Sequence, residues 1–311
     1  MPKPHIVVTE GLESTPFAWL RENALVTEAS WKNPTALHAA LATAEGLIVR
    51  TYTQVNAALL AHAPLLKVVG RAGVGLDNID QPACAARHVK VLSTPTANTR
   101  AVCEYVFNLL FHLGRPLVHL PNAVPDETFH AYRKKLRGLE LSGKTLAILG
   151  MGNIGRGVGK IAHAMQMTVL YNDLLNVAPL LDYPATAVSK DELFSRADVL
   201  TIHVNHQPNN LNHHLVAAPA LVQMKPTAYL INTSRGEVID AHALATALKS
   251  NQLAGAAIDV HDPEPPTSSY PLFGLPNVIL APHLAARTQG AMDRMSWVAK
   301  DVVEYLHTLA P

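Results

Sequence analysis

Four side chains with complementary chemistry follow short apolar runs in the second half of the sequence: Arg235, Asp259, Glu264 and His283. Arg235 comes after Ala228–Asn232 in Thr233-Ser234-Arg235-Gly236. Asp259 lies within Ala256–Val260, ahead of His261-Asp262-Pro263-Glu264-Pro265, and His283 closes Ala281-Pro282-His283 after Val278–Leu280. An arginine grips a carboxylate through parallel N–H donors, and a histidine titrates close to neutral pH. A glutamate beside that histidine favours the imidazolium and orients the ring. Such a set can hold an anionic carbonyl compound and exchange a proton with its oxygen. Taken singly, each residue has a blander role: an exposed ion-pair arginine, one structural histidine among 16, or a glutamate capping a proline-rich turn.

A second pattern supplies a place for a dinucleotide. Gly150-Met151-Gly152-Asn153-Ile154-Gly155 directly follows the apolar run Thr145–Leu149 and opens a helical stretch through Met165. Gly150 permits the tight turn, Gly152 lets backbone approach a pyrophosphate, and Gly155 packs helix on strand. The helix N-terminus offers free N–H groups to phosphate. Asp173 ends the next apolar run, 18 residues beyond Gly155. A carboxylate there accepts ribose hydroxyls and repels a 2′-phosphate. Leu174 and Leu175 follow it, with no cation to receive such a phosphate, so NAD is favoured over NADP. Alone, a glycine turn can serve packing only; the strand, helix and carboxylate around it point to the cofactor. Nicotinamide supplies hydride chemistry, and with Arg235, Glu264 and His283 the set matches the reduction of a 2-keto acid.

The elements that position these groups alternate along the chain. Apolar runs occur at His5–Thr9, Gly46–Arg50, Leu66–Gly70 and Lys90–Ser93. A second series occupies Thr145–Gly150, Thr168–Asn172, Val199–Val204, Ala228–Asn232, Ala256–Val260 and Val278–Leu280. They do not alternate in polarity, as expected of strands buried on both faces. Helix starts lie between them, including the capping box Ser189-Lys-Asp-Glu192 and Asp240 ahead of Ala241–Lys249. The pattern predicts an α/β protein of two doubly wound, parallel-sheet, Rossmann-like domains with a boundary near 95–100. Ligands in such sheets bind beyond the carboxyl ends of the strands, so the four side chains are expected in one crevice. Ala101–Leu113 carries apolar residues at helical spacing, while 114–143, with Pro116, Pro121, Pro125 and the basic run Arg133–Arg137, reads as irregular.

Composition narrows the class. A length of 311 residues, at about 150 residues per domain, gives about two domains. Lys and Arg total 25 against 24 Asp and Glu, which argues against a nucleic-acid partner. Cys84 and Cys103 are the two cysteines, so no disulfide framework is expected and a reducing compartment fits. The N-terminus has three apolar residues in a row, too few for a secretory signal, and no uncharged run reaches the ~20 residues of a membrane helix. The expectation is a cytoplasmic globular protein without a membrane partner. His203, His206, His213 and His214 cluster without a recognised metal-ligand spacing, so a solvated loop and no metal are expected.

The sequence resembles the D-isomer-specific 2-hydroxyacid dehydrogenase family over almost its whole length. The likeness rests on Val69-Gly-Arg-Ala-Gly-Val-Gly-Leu-Asp-Asn-Ile-Asp80, Gly150–Gly155, Leu230-Ile-Asn-Thr-Ser-Arg-Gly-Glu-Val-Ile-Asp240, Leu253–Pro265 and Asn277–Ala285. Gly70–Asp80, Asn98-Thr99 and Arg133-Lys-Lys135 before Gly138 are similar to its 3-phosphoglycerate dehydrogenase branch. The resemblance implies that Arg235 holds the substrate carboxylate and carbonyl oxygen, that His283 is the acid–base group, and that Glu264 raises its pKa. It implies that Asp259 contacts the nicotinamide amide and that Asn153, Ile154, Val204 and Thr233 line the NAD site. Backbone N–H groups around Val74 and Gly75 would bind the carboxylate, with Val74 also facing the cofactor, and Arg50 or Arg71 would select the distal group. The family layout implies a substrate-binding domain of 1–98 and 286–311, an NAD-binding domain of 99–285, an active-site cleft between them, and a homodimer formed through the helix near 101–113.

Some positions depart from the family pattern. Ser234 stands for a common Ala, Glu237 for a Gly, Asn205 for a Pro that shapes the adenine pocket, and Ala131 for a Trp. The chain stops at Pro311, which gives no expectation of the C-terminal regulatory domain found in many phosphoglycerate dehydrogenases. The substrate is expected among small 2-keto or 2-hydroxy acids, of phosphoglycerate, glycerate (hydroxypyruvate) or glyoxylate type. Two alternatives stay open: oxidation of another small anion such as phosphite or formate, and an NAD-sensing corepressor-like role. Glu264 with His283 speaks against formate, whose enzymes generally carry Gln.

Overall fold

The computed structural model describes residues 3–115, 117, 125–135, 137–205 and 211–309. The chain divides into two compact units, Met1–Asn98 with Ala286–Pro311, and Thr99–Ala285. The first begins β1 (His5–Val8), α1 (Ser14–Asn23), β2 (Leu25–Glu28), α2 (Pro34–Leu41), β3 (Gly46–Val49), α3 (Ala57–Ala61), β4 (Val68–Arg71), α4 (Gln81–Ala86) and β5 (Lys90–Ser93). Its five strands pair in parallel in the order β2-β1-β3-β4-β5. All four residues of β3 are buried, which is why its sequence is apolar without alternation. The edge strand β2 has no fully buried residue and follows α1 after Ala24, so it carried no apolar run to read.

The second unit runs α5 (Thr99–Gly114), α6 (Asp126–Lys135), β6 (Thr145–Leu149), α7 (Asn153–Ala164), β7 (Thr168–Asn172), β8 (Thr186–Ala187), α8 (Lys190–Arg196) and β9 (Val199–Ile202). It continues through α9 (Ala218–Leu221), β10 (Tyr229–Asn232), α10 (Ala241–Lys249), β11 (Gly255–Ile258) and β12 (Val278–Leu280). Its seven parallel strands lie in the order β12-β11-β10-β9-β6-β7-β8. The chain builds outward from β6 to β8 and then crosses to β9, so the direction of winding reverses between β6 and β9. That reversal opens a crevice beyond the strand ends. One face of the sheet buries Val106, Leu110, Val158 and Ala162 from α5 and α7. The other buries Leu193, Leu221, Leu244 and Leu248 from α8, α9 and α10.

The stretch 114–143 is not irregular throughout, because α6 lies within it. Asp126 and Glu127 begin that helix and Arg133, Lys134 and Lys135 end it, the arrangement a helix dipole favours. It buries no residue, so it lacks the apolar stripe from which helices are read. Pro116 and Pro121 lie outside the described residues. Ser189 and Asp240 both cap their helices, accepting from the N–H groups of Glu192, and of His242 and Ala243. Among the described residues no helix is long and apolar enough to cross a membrane.

The first unit closes with α11 (Gln289–Ser296) and α12 (Val298–Thr308). Helix α12 packs so closely on β4 that a Cβ at Gly70 would fall 2.4 Å from Val302. At the opposite end of the folding logic stands Glu10, just beyond β1. Its carboxylate accepts from the N–H groups of Arg50 (3.1 Å), Thr51 (2.9 Å), Tyr52 (3.1 Å) and Thr53 (3.0 Å), and from Thr53 Oγ1 (2.9 Å). Successive N–H groups converging on one anion fix the loop after β3. Burial pushes the Glu10 pKa up, but these donors outweigh it and hold it below the ordinary 4.5.

Replacing Glu10 with Gln removes one charged acceptor and is expected to cost about 1–2 kcal/mol of stability, moderated by the group's partial exposure. The sign with pH follows from the lowered pKa. The contribution is complete above the unfolded value of 4.5 and is lost as pH falls through the folded one. Urea unfolding of both proteins at about pH 7 and about pH 3 checks this: the gap should be present at the first and shrink at the second.

Candidate active site

The glycine turn joins β6 to α7 where the sheet reverses its winding. Gly150 has φ +95°, and a Cβ on it would lie 2.8 Å from the backbone of His203 and Val204, just beyond β9. A Cβ at Gly155 would meet the Gly150 carbonyl oxygen at 2.2 Å, so the first turn of α7 sits directly on the loop. Space at Gly152 is open, and no side chain caps α7 there. Gly152 has no side chain with which to cap the first-turn N–H groups of α7, an arrangement that suits an anion. Asp173, just past β7, accepts from Met151 N at 2.6 Å and from Leu175 N at 2.8 Å. The carboxylate that would read a ribose thus also anchors the turn that would hold the phosphates, a link the sequence did not announce.

The next strand ends in a hydrogen-bonded staple. Asn232 is fully buried; its Nδ2 donates to Arg235 O at 2.8 Å, while its Oδ1 accepts from Ser234 N at 3.0 Å and Ser234 Oγ at 2.8 Å. Ser234 therefore uses its hydroxyl in the turn that presents Arg235. Arg235 Nη1 donates to Ser234 O at 2.6 Å. Thr233 is almost buried, and its Oγ1 has no hydrogen-bond partner in the protein. Asn232 was missed as a positioning residue, although an amide ending an apolar strand is its signal.

The remaining loops converge on Asp259, whose carboxylate is buried. It accepts from Leu284 N at 2.7 Å and Ala285 N at 2.9 Å, and its own carbonyl accepts from His283 N at 2.8 Å. Burial pushes the Asp259 pKa above its ordinary value despite these two N–H donors. These bonds hold His283 at φ +55°, the left-handed region that costs a branched-off side chain about 1 kcal/mol or more. In that position His283 Nδ1 donates to Glu264 Oε1 at 2.7 Å, leaving Nε2 for a substrate on a ring 45% exposed. Burial raises the Glu264 pKa, but the His283 hydrogen bond and charge, then His261, bring it below the ordinary value. Glu264 thus stays an ionised acceptor at neutral pH.

The structure brings Asp259, Glu264 and His283 into one network and sets the Arg235 turn against the same loop, since a Cβ at Gly236 would lie 2.0 Å from the His261 carbonyl carbon. Arg50, Arg71, Val74 and Gly75 belong to the other unit. There Arg50 donates to Gly11 O at 3.1 Å and to Met292 Sδ at 3.0 Å. Its pKa is lowered first by burial and then by Arg287, a cation that the sequence reading overlooked. Arg71 folds over Gly73, where a Cβ would lie 1.2 Å from its Nη1. The Gly73 carbonyl accepts from Thr94 N and Oγ1 at 3.0 and 3.2 Å, which fixes the loop leading to half-buried Val74 and Gly75.

The described histidines past β9 lie in different settings. His203 is not on a solvated loop: its ring lies 2.9 Å from Thr201 Oγ1, and burial pushes its pKa down to about 3. His213 and His214 stack on each other at 3.8 Å, and His206 lies outside the described residues. Among the described residues no three potential metal ligands gather.

A glycine turn at the reversal of a parallel sheet, an uncapped helix and a strand-end carboxylate together define a dinucleotide-binding domain. The family "D-isomer specific 2-hydroxyacid dehydrogenase, NAD binding domain" matches residues 107–285. D-3-phosphoglycerate dehydrogenase of Synechocystis sp. is 38% identical over 263 residues, 84% of this chain and 46% of its own. (S)-Sulfolactate dehydrogenase of Chromohalobacter salexigens is 38% identical over 83% of this chain and 82% of its own. The D-lactate dehydrogenase of Aquifex aeolicus, solved with NAD and lactic acid, superposes with TM-score 0.80 at 25% identity, covering 98% of this chain and 95% of that one. The chain belongs to the D-isomer specific 2-hydroxyacid dehydrogenase family, and its second unit carries the NAD-binding domain. It spans about half the length of the phosphoglycerate dehydrogenases it matches. The buried Thr233 Oγ1, which the protein leaves without a partner, fits NAD, as does an α7 N-terminus preceded by a glycine that cannot cap it.

Asp173→Ala is expected to weaken NADH binding by roughly tenfold and to relax discrimination against NADPH, since it loses both a ribose acceptor and the tie to Met151. Fluorescence titration with the two reduced cofactors measures both effects. Unchanged selectivity would assign ribose reading to another residue.

Proposed function

We propose that the chain works as an NAD-dependent dehydrogenase, moving a hydride between NAD(H) and C2 of a small D-2-hydroxy acid or its 2-keto partner, and that this substrate bears a second anionic group. The observation that carries the proposal is the 2.7 Å contact of His283 Nδ1 with Glu264 beside a dinucleotide-type glycine turn. Bound NAD would supply the hydride chemistry, held by the N–H groups of Asn153 and Ile154 with Thr233, Val204 and Asp173 around it. His283 Nε2 passes a proton to the C2 oxygen in reduction and takes it back in oxidation. Glu264 holds the ring in the tautomer that this requires. Arg235 takes the carboxylate and the C2 oxygen through its forked N–H groups. Asp259 keeps its own carboxylate on the 284–285 backbone, and its role toward the nicotinamide is secondary in this reading.

Val74 and Gly75 would add backbone donors to the substrate carboxylate, and Arg50 and Arg71 would take the distal group. Arg287 lowers the Arg50 pKa, while Glu10 and Glu13 raise it, so a second cation lies in the neighbourhood this assignment uses. Phosphoglycerate and sulfolactate, named for two of the relatives, both carry such a group. The same reading takes the protein as a homodimer in a reducing, cytoplasmic setting. Support comes from the exposed apolar residues Phe111, Phe129 and Tyr132 on α5 and α6 and from two buried free cysteines; sedimentation of the purified protein tests the dimer.

NADH oxidation should be measured with glyoxylate, pyruvate, hydroxypyruvate, phosphohydroxypyruvate, sulfopyruvate, oxaloacetate and 2-ketoglutarate. Acids with a second anion are expected to exceed pyruvate by roughly tenfold or more in kcat/KM, a difference of about 1.4 kcal/mol. Arg287→Ala should narrow that preference, and His283→Ala should abolish turnover while NADH still binds. No turnover of any acid with NADH binding intact would overturn the dehydrogenase reading, and equal turnover of all of them would overturn the second anionic group.

A further inference from the structure

The turns that carry Arg235, Glu264 and His283 all meet at one residue that the proposed chemistry does not use, His261. Its backbone is pressed by Gly236, where a Cβ would fall 2.0 Å from the His261 carbonyl carbon and 2.1 Å from its oxygen. Its N–H donates to Glu264 Oε2 at 3.4 Å, the second oxygen of the carboxylate that receives His283. Its ring Nε2 lies 2.9 Å from Ala281 O, two residues before His283. A carbonyl only accepts, so Nε2 carries the proton and donates. The ring packs edge-on against Tyr270, with centroids 5.4 Å apart at 85°.

Packing alone does not account for a histidine here. The residue is 7% exposed, and its Nδ1 is buried with no partner. An apolar ring of similar size would fill the same space against Tyr270 without burying an unsatisfied nitrogen. What such a ring would lack is the N–H that fastens Ala281.

We propose that His261 is a positioning residue for the reaction. Its ring N–H holds Ala281, and through it the left-handed His283, while its backbone N–H holds Glu264. The two anchors keep Nδ1 and Oε1 at hydrogen-bonding distance while the Arg235 turn rests on the same peptide. This assignment rests on Glu264 and His283 being the acid–base pair.

The test compares His261→Phe, which keeps a ring against Tyr270 but has no donor, with His261→Gln, whose amide N–H can reach Ala281. His261→Leu replaces the Phe variant should the latter fail to fold by circular dichroism. Two readouts separate positioning from mere structure: kcat against KM for the best acid of the panel, and the downfield NMR signal of the His283 Nδ1–H donated to Glu264. In the apolar variant kcat is expected to fall about tenfold with NADH binding unchanged, as one buried hydrogen bond is lost. The downfield signal should broaden or vanish, and Gln should restore both. An apolar variant with wild-type kcat and signal overturns the proposal, as does a Gln variant that behaves like the apolar one. The NMR arm needs no turnover, so a loss and rescue of the signal in a protein inactive on every 2-keto acid would fault the reading of the reaction and leave the anchoring of His283 standing.

Discussion

A buried carboxylate organises the active end of the second unit. Asp259 lies inside the protein, where an unpaired charge would be costly, and it is tolerated because two consecutive backbone N–H groups, of Leu284 and Ala285, point at its two oxygens. Those N–H groups can both face inward only if the residue before them turns sharply. His283 makes that turn by adopting φ +55°. The histidine therefore sits in a backbone conformation that most residues avoid, and the compensation comes from the strand beside it. The outcome is a ring whose Nδ1 is committed to Glu264 and whose Nε2 is exposed.

The same economy of anchors recurs at neighbouring strand ends. Asn232 uses all its polar atoms to close the Thr233–Arg235 turn, and Asp173 ties the glycine turn to β7. Each anchor is a short polar side chain one residue beyond, or at the end of, an apolar strand. A rigid parallel sheet fixes the origin of every loop, and a local hydrogen bond fixes its direction.

The first unit solves a similar problem with charge. Glu10 gathers the N–H groups after β3, and the loop so held presents Arg50, whose guanidinium rests on Gly11 and Met292. Arg287 adds a second cation to this neighbourhood, four residues along the chain from His283. Glu10 and Glu13 act on the same guanidinium with the opposite sign, so its charge is balanced by neighbours of both kinds.

Much of this was decided by the sequence itself. Runs of β-branched and small apolar residues with no alternation marked strands, covered on both faces at β3, β9 and β11 but only half-buried at the edge strands β5 and β12, and the spacing of Gly150, Gly152, Gly155 and Asp173 follows from one strand–turn–helix–strand unit. Both are local, so they survive in one dimension, as do the caps at Ser189 and Asp240. What failed locally was α6, which has no apolar stripe, and β2 and β8, which are short and exposed. Only tertiary structure could decide the rest. That Asp259 faces the 284–285 backbone, and that His261 joins three turns, depend on residues brought together from different strands. Hydrogen bonds between strand ends depend on which strands are neighbours in the sheet, and no spacing along the chain encodes that.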